Sequence, residues 1–451
     1  MVDAAKDLKS AMRVLDPRPL EFDHDGHPTA PSANSAFYEP SPVEGEAPNG
    51  RLKKPTPIER IKRQLMEGGS ETRCFLSGHV GSGKSTELNR LSVDREVLSR
   101  FAVVRLRLEE QEWAVLDAAQ LFFRIADALH QYGEREGLLA DSKAWVKFLE
   151  VINRRVYGET SSTGLKVDES IVGLEAGPAF AKLKAQLKLS PVTRQVFRKL
   201  GETDQSVLRD LIAGLAVDME LALSKDDARH DQRLLLIVDD LDKVRGEESQ
   251  RDIFDTNLNT LLTLPFCAVY TLPSGVAFGG NRGDLRQSYE HLHPVRVLRK
   301  CPDGYEPLDA VIDDRLPYFV ELVHRRVAPP LIDDGAIKRA AAYSGGVLRT
   351  FFYLLREGCN LADYNGFTSV DATVMDEVVR DARRKESAGV HSNVREVLRH
   401  VHRTNLLRSE EDRRYLDQSR VLECYNGETW FEANPILWSL LKEADKGGAE
   451  P

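Results

Sequence analysis

Apolar residues come in short, dense runs, separated by longer stretches in which they recur every three or four positions. The runs cover 73–77, 101–108, 233–238 and 266–272. The third, Arg-Leu-Leu-Leu-Ile-Val, is apolar at every position after the first, as in a parallel strand covered on both faces. Positions 294–298 predict a further strand. The 3.6-residue period predicts helices over 58–66, 84–91, 117–132 and 204–223. Alternating strands and helices predict an α/β fold with a three-layer parallel sheet. From 308 onward the pattern is helical, over 308–327, 333–343, 348–361 and 371–385. The stretch 390–444 opens with a helix and then carries a hairpin. Its strands, 421–425 and 429–431, flank Asn426-Gly427, a pair suited to the two positive φ values of a type I′ turn. Helix, helix, hairpin is the outline of a winged helix.

Two segments break this regularity. Residues 1–50 carry Pro at 17, 19, 28, 31, 40, 42 and 48, and read as a disordered arm with one apolar island at Ala36-Phe37-Tyr38. Within 137–200, apolar and polar residues alternate from Ala181 to Leu189 between Pro178 and Pro191. That period of two predicts a strand, although the residues are also good helix formers. The segment reads as an insertion in a nucleotide domain spanning 51–305, followed by a helical lid over 306–388 and a winged-helix-like domain over 389–451.

Length and composition narrow the classes. A chain of 451 residues accommodates two or three domains. A formal net charge of −9 argues against a surface that binds nucleic acid throughout, though not against a local basic patch. The five cysteines are scattered without C-x-x-C spacing, as expected of reduced thiols in a cytoplasmic protein. No apolar stretch approaches the roughly 18 residues needed to cross a membrane. The N-terminus lacks the apolar region of a secretory signal.

The most informative stretch is Gly78-His79-Val80-Gly81-Ser82-Gly83-Lys84-Ser85-Thr86. It matches G-x-x-x-x-G-K-[ST], the Walker A phosphate loop, between a predicted strand and a predicted helix. Glycines let successive N–H groups turn inward toward phosphate oxygens, and the following helix adds its positive end. Lys84 is placed to reach β- and γ-phosphates, and the Ser85 hydroxyl to ligate Mg²⁺. The 233–238 strand ends in Asp239-Asp240-Leu241-Asp242. Carboxylates at the C-terminal end of a buried parallel strand face the crevice where ligands bind. Asp239 is placed to hold Mg²⁺ and Asp240 to orient or deprotonate a water.

At least one strand, 101–108, falls between these motifs along the chain. A strand inserted between the phosphate-loop strand and the Asp strand is the topology of hydrolysing ATPases. A guanine reader of the N-K-x-D type is missing. The nearest match, Lys166-Val167-Asp168, is preceded by Leu165.

Over roughly 52–440 the chain resembles the AAA+ and STAND superfamily of P-loop ATPases. Val238-Asp239-Asp240-Leu241-Asp242 is similar to the Asp-Asp-x-Asp form of KAP and STAND members. The resemblance implies ATP and Mg²⁺ as cofactors. It implies a polar γ-phosphate sensor at Thr271 and a sensor arginine at Arg349, at the start of a lid helix after Gly345-Gly346. It also implies an assembly switch, of the kind found in bacterial anti-phage defence, with its effector in trans. The rival readings are a DNA-bound loader similar to origin-recognition ATPases and a slowly hydrolysing nucleotide-dependent scaffold. Asp240 stands where AAA+ motors usually carry Glu, and the shorter side chain favours a switch over a fast motor. Arg282 and Arg286 are candidates for a trans-acting finger by position alone.

Residues 380–403 are locally basic but interleaved with Glu377, Asp381, Glu386 and Glu396. The hairpin carries Glu423 and Glu428, and Glu410, Glu411 and Asp412 precede it. A wing that tracks phosphates should be basic, so protein partners or a second copy of the chain are preferred over nucleic acid. His400 and His402 face differently on their predicted helix, which argues against a metal there.

Overall fold

The computed structural model describes residues 4–22, 37–40, 55–114, 116–139, 205–277, 289–300 and 306–442. Nearly all of the expected insertion, including the 181–189 alternation, lies outside the described residues, as do Arg282, Arg286 and Cys301.

Five parallel strands form the sheet: β1 (Arg73–Gly78), β2 (Phe101–Arg107), β3 (Arg233–Asp239), β4 (Cys267–Leu272) and β5 (Tyr289–Leu292). Their order is β2-β3-β4-β1-β5. The strand between β1 and β3 is therefore β4, and β2 is an edge strand. β2 and β3 pair from Phe101↔Arg233 to Arg107↔Asp239. β1 and β5 pair from Phe75↔Tyr289 to Gly78↔Leu292. With its helices, this sheet is a three-layer α/β P-loop fold. β3 is buried from Leu234 through Asp239, so its continuous apolar run has the cause inferred from sequence.

The described helices of eight or more residues are α2 (Pro57–Glu67), α3 (Lys84–Ser92), α4 (Ala118–Arg135), α5 (Gln205–Leu223), α6 (Leu316–His324), α7 (Asp334–Ser344), α8 (Leu348–Tyr364), α9 (Ala372–Ser387) and α10 (Ser392–Thr404); a shorter one, α1 (Leu8–Val14), precedes them. Three starts are set by aspartates that accept an N–H from the first turn. Asp117 accepts from Gln120 at 2.8 Å, Asp333 from Ala336 at 2.6 Å and Asp371 from Val374 at 2.9 Å. None of the described helices is long and apolar enough to cross a membrane.

The chain divides into two compact units. The second comprises Arg63–Cys74 and Glu96–Tyr270. It holds β2 and β3 with α4 and α5, and its core includes Phe101, Phe122, Ile212, Met219 and Leu236. The first comprises Met1–Lys62, Phe75–Arg95 and Thr271–Pro451. It holds the phosphate loop, helices α6 to α10 and a hairpin of β6 (Val421–Tyr425) and β7 (Thr429–Ala433).

Three features of the first unit differ from the sequence expectation. The arm is ordered in part. α1 starts with a capping box between Asp7 and Ser10 and packs on α8. Leu8, Ala11 and Leu15 recur at helical spacing and are buried, a signal that the Pro-rich average of the arm conceals. Phe37 is also buried, with the Arg326 guanidinium 5.0 Å over its ring. Second, the last sheet strand is 289–292. Leu298 instead bridges Val311 antiparallel, with Ile312 N–H donating to Val297 at 2.8 Å. Third, Tyr425 pairs with Thr429, so the hairpin loop has three residues. Only Gly427 in it has positive φ, at 105°, so the turn is not type I′.

Candidate functional site

In the first unit, the chain leaves β1 at Gly78 and curls around the Lys84 side chain. Gly78, Gly81 and Gly83 have φ of 144°, 89° and 107°. Only glycine takes such values freely, and the three together make the curl. Lys84 opens α3 and is buried. Its Nζ donates to Gly78 O at 2.5 Å and His79 O at 2.8 Å. The ammonium thus lies inside the loop. Ser82 is buried, and its hydroxyl makes no hydrogen bond among the described residues. Ser85 and Thr86 follow in the first turn of α3, both half-buried. Val80 is half-buried at the outer bend. The N-terminal arm reaches this turn: Leu20 N–H donates to Thr86 Oγ1 at 3.2 Å, and Asn89 Nδ2 donates to Leu20 O at 2.6 Å.

The start of α8 rests on the loop. Arg349 N–H donates to Gly81 O at 3.1 Å. A Cβ on Gly81 would stand 2.5 Å from Arg349 Cβ. The phosphate-loop pattern allows any residue at position 81, so this contact explains the third glycine. Upstream, Gly346 exchanges backbone contact with Val295, and its own Cβ would fall 1.7 Å from Val295 O. Gly345-Gly346 therefore lets one segment of backbone lie directly on another. Among the described residues the Arg349 guanidinium makes no hydrogen bond or ion pair, although its backbone is fixed. Thr271 is fully buried, the next-to-last residue of β4.

The hairpin also meets the loop. Glu423 N–H donates to His79 Nε2 at 2.6 Å. Burial, with His291 nearby, pushes the His79 imidazole down to about 3, so the ring is neutral and its proton sits on Nδ1. Glu423 is 2% exposed. Burial opposes its ionisation, yet His291 and His293 beside it hold the carboxyl at about 2. Burial lowers His291 as well. The expectation that Glu423 charges the outer face of a wing is thus corrected: its carboxylate points inward. Asp412 is buried too, whereas Glu410, Glu411 and Glu428 are exposed. His402 is buried against Glu432 at 2.6 Å. In the basic stretch, Arg380 pairs with Glu377 and Arg384 with Asp381 on their own helix.

In the second unit, β3 ends at Asp239, and Asp240 follows with φ 70° and ψ 6°. A left-handed non-glycine residue is uncommon, and Asp is among the few side chains that tolerate it. Asp240 N–H donates to Asp239 Oδ1 at 2.8 Å. Asp239, Asp240 and Asp242 are all buried, with carboxylate oxygens within 4.8 Å of one another. Asp240 carries two cations, Lys243 and Arg107, the latter at 3.2 Å from the end of β2. Sequence reasoning named neither. Arg107 could have been found from its place at the end of the strand paired with β3. Lys243 lies over the Trp113 ring at 4.6 Å, which fixes its side chain beside the aspartate.

No protein-family model matches the chain, and no curated protein does. Among solved structures the chain is similar to the Walker-type ATPase PABY2304 of Pyrococcus abyssi, at 12% identity and a TM-score of 0.38, over 90% of this chain and 99% of that one. It is similar to the Aeropyrum pernix ORC2 protein at 11% identity and a TM-score of 0.35, over 89% and 93% of the two chains. Cdc6p from Pyrobaculum aerophilum gives 12% and 0.35, over 90% and 95%. Likeness at this level carries no argument about ligand, activity or partner. The P-loop fold stands on the sheet order and the glycine loop.

Proposed function

We propose that this chain is a Mg²⁺-dependent, ATP-hydrolysing switch of AAA+/STAND type. The observation that carries the reading is the buried Lys84 ammonium inside a loop of three positive-φ glycines. Such a loop has little use except to surround an anion. Lys84 would exchange the carbonyls of Gly78 and His79 for the β- and γ-phosphates. Backbone N–H groups of Gly81 and of Gly83 to Ser85 cradle the phosphate oxygens.

The Ser85 hydroxyl, in the first turn of α3, is assigned to Mg²⁺, which takes a hydroxyl together with phosphate oxygens. Asp239 is assigned to the same ion on the sequence pattern alone. Bound there, the ion would neutralise phosphate charge and polarise the γ-phosphoryl group. Asp240 orients the attacking water, and its ion pairs with Arg107 and Lys243 hold the carboxylate in place. Thr271 is assigned as a second polar group at the γ-phosphate.

Arg349 supplies the switch. Its backbone is tied to Gly81 and its guanidinium has no partner among the described residues, so an added γ-phosphate gives α8 a charge contact that a diphosphate does not. The helix and hairpin at the end of the chain act as a winged-helix-like output surface. The assembly role, with an effector in trans as in anti-phage defence, rests on the family resemblance alone. A DNA-bound loader is a second reading, and the burial of Glu423 favours it by removing one acidic charge from the wing. Retention on duplex DNA that weakens with salt separates the two.

The direct test of the site is Lys84→Ala. The variant should fold as the wild type does and lose most of its affinity for a fluorescent ATP analogue. Unchanged affinity in folded Lys84→Ala would sink the assignment.

A further inference from the structure

A second cluster of chemistry-bearing side chains lies where the end of β5 meets the hairpin, and the nucleotide reading does not use it. His291 is in β5, His293 is just beyond it, and Glu423 is in β6. Each imidazole turns its Nε2 to one oxygen of the same carboxylate. His291 Nε2 lies 3.0 Å from Glu423 Oε2 and His293 Nε2 3.3 Å from Glu423 Oε1. The three donor atoms lie within 4.8 Å of one another. The two rings are 4.4 Å apart, tilted by 48°.

We propose that His291, His293 and Glu423 form a binding site for a zinc-class divalent cation that clasps the hairpin to the end of β5. Two imidazoles and a carboxylate are a donor set that Zn²⁺ takes and Mg²⁺ does not favour. Zinc bonds of about 2.0–2.2 Å in a tetrahedron separate neighbouring ligand atoms by about 3.4 Å. The two nitrogen–oxygen separations are close to that edge, so a cation would enter with small side-chain movements. Glu423 is 2% exposed and His293 18%, so the cluster is closed on the carboxylate side and accessible past His293. His79 is not a ligand, because its Nε2 already accepts the Glu423 N–H. It is a positioning residue that fixes the main chain carrying the carboxylate. A bound cation would in turn hold that main chain, and with it His79 of the phosphate loop.

The test uses the full chain, stripped with a chelator and titrated with Zn²⁺ against a chromophoric competitor in the absence of nucleotide. One equivalent should bind, and Co²⁺ in its place should give the visible absorption of a four-coordinate site. His293→Ala and Glu423→Gln should each weaken binding by at least about tenfold, since even outer-shell changes cost that much. His293→Ala removes a part-exposed side chain and should fold, which circular dichroism checks. Zn²⁺ should raise the melting temperature of the wild type and not of His293→Ala. Asp239→Asn and Lys84→Ala should bind as the wild type does, which keeps this site distinct from the nucleotide assignment. No stoichiometric binding in the wild type, or binding that survives His293→Ala and Glu423→Gln, would overturn the proposal. So would its loss in Asp239→Asn.

Discussion

Gly81→Ala is the sharpest probe of the contact between the phosphate loop and α8. The backbone there has φ 89°, and the new Cβ would stand 2.5 Å from Arg349 Cβ and 3.3 Å from Val347 Cγ1. Placing an L-residue in that region costs about 1–2 kcal/mol. Carbon atoms prefer separations of about 3.5–4.0 Å, so the first turn of α8 must retreat by about 1 Å. That retreat is resisted. Val347 N–H is held by Ser344 O, and Arg349 N–H by Gly81 O, both at 3.1 Å. Overpacking of this kind costs about 1–3 kcal/mol. The total is about 2–5 kcal/mol. If α8 gives way, the steric part falls, and the Arg349–Gly81 hydrogen bond goes with it, at about 0.5–1.5 kcal/mol.

Gly366→Ala is the control: φ is 71°, and nothing lies within 4 Å of the added Cβ. It should show only the conformational cost of about 1–2 kcal/mol. The assay is equilibrium urea unfolding. Because two compact units need not melt together, it should be paired with hydrogen exchange at the α8 amides. If Gly81→Ala falls within about 0.5 kcal/mol of Gly366→Ala, a figure comparable to the error of additivity, then loop and helix are not in contact as described.

Two further predictions concern the chemistry. ATP, and not ADP, should protect α8 from hydrogen exchange, and Arg349→Ala should abolish that difference while leaving ADP affinity nearly intact; equal protection by both nucleotides in the wild type would deny Arg349 its γ-phosphate role. Asp239→Asn should weaken Mg²⁺ dependence. Asp240→Asn should bind ATP but turn over at least about tenfold more slowly, because Asn tolerates the left-handed backbone as Asp does while the carboxylate, and with it the ion pairs to Arg107 and Lys243, is lost; wild-type turnover would place the catalytic carboxylate elsewhere.

The strands and the loop were legible because each rests on a local rule. β3 is apolar because both of its faces are covered. The loop carries glycine because Gly78, Gly81 and Gly83 have positive φ. What escaped was set by distant partners. Val295 and Val297 look like a sheet strand, but the backbone of Val297 and Leu298 pairs with 311–312 instead. β5, Tyr-Glu-His-Leu, has no strand signature of its own and is a strand because β1 offers it an edge. Asp240 looked like a base next to a metal ligand. Its two cationic partners are Arg107 and Lys243, the first of them over a hundred residues upstream.

Charge was the least reliable guide, for a physical reason. A carboxylate in a sequence is read as solvated because burial without a partner costs several kcal/mol, and the partner cannot be seen. Glu423 has two imidazoles for partners from 130 or more positions away, and a third imidazole takes its backbone N–H. The acidic wing inferred from sequence was therefore acidic inside as well as out. With Glu423 withdrawn, the outward charge of the hairpin is that of Glu428 and its neighbours. The electrostatic argument against a polyanionic partner weakens by one charge at the position where a wing would meet a phosphate. The argument from α9 does not weaken, because Arg380 and Arg384 are paired with acids on that helix. The preference for a protein partner now rests on that helix rather than on the hairpin, and the salt dependence of DNA retention is the measurement to which it is exposed.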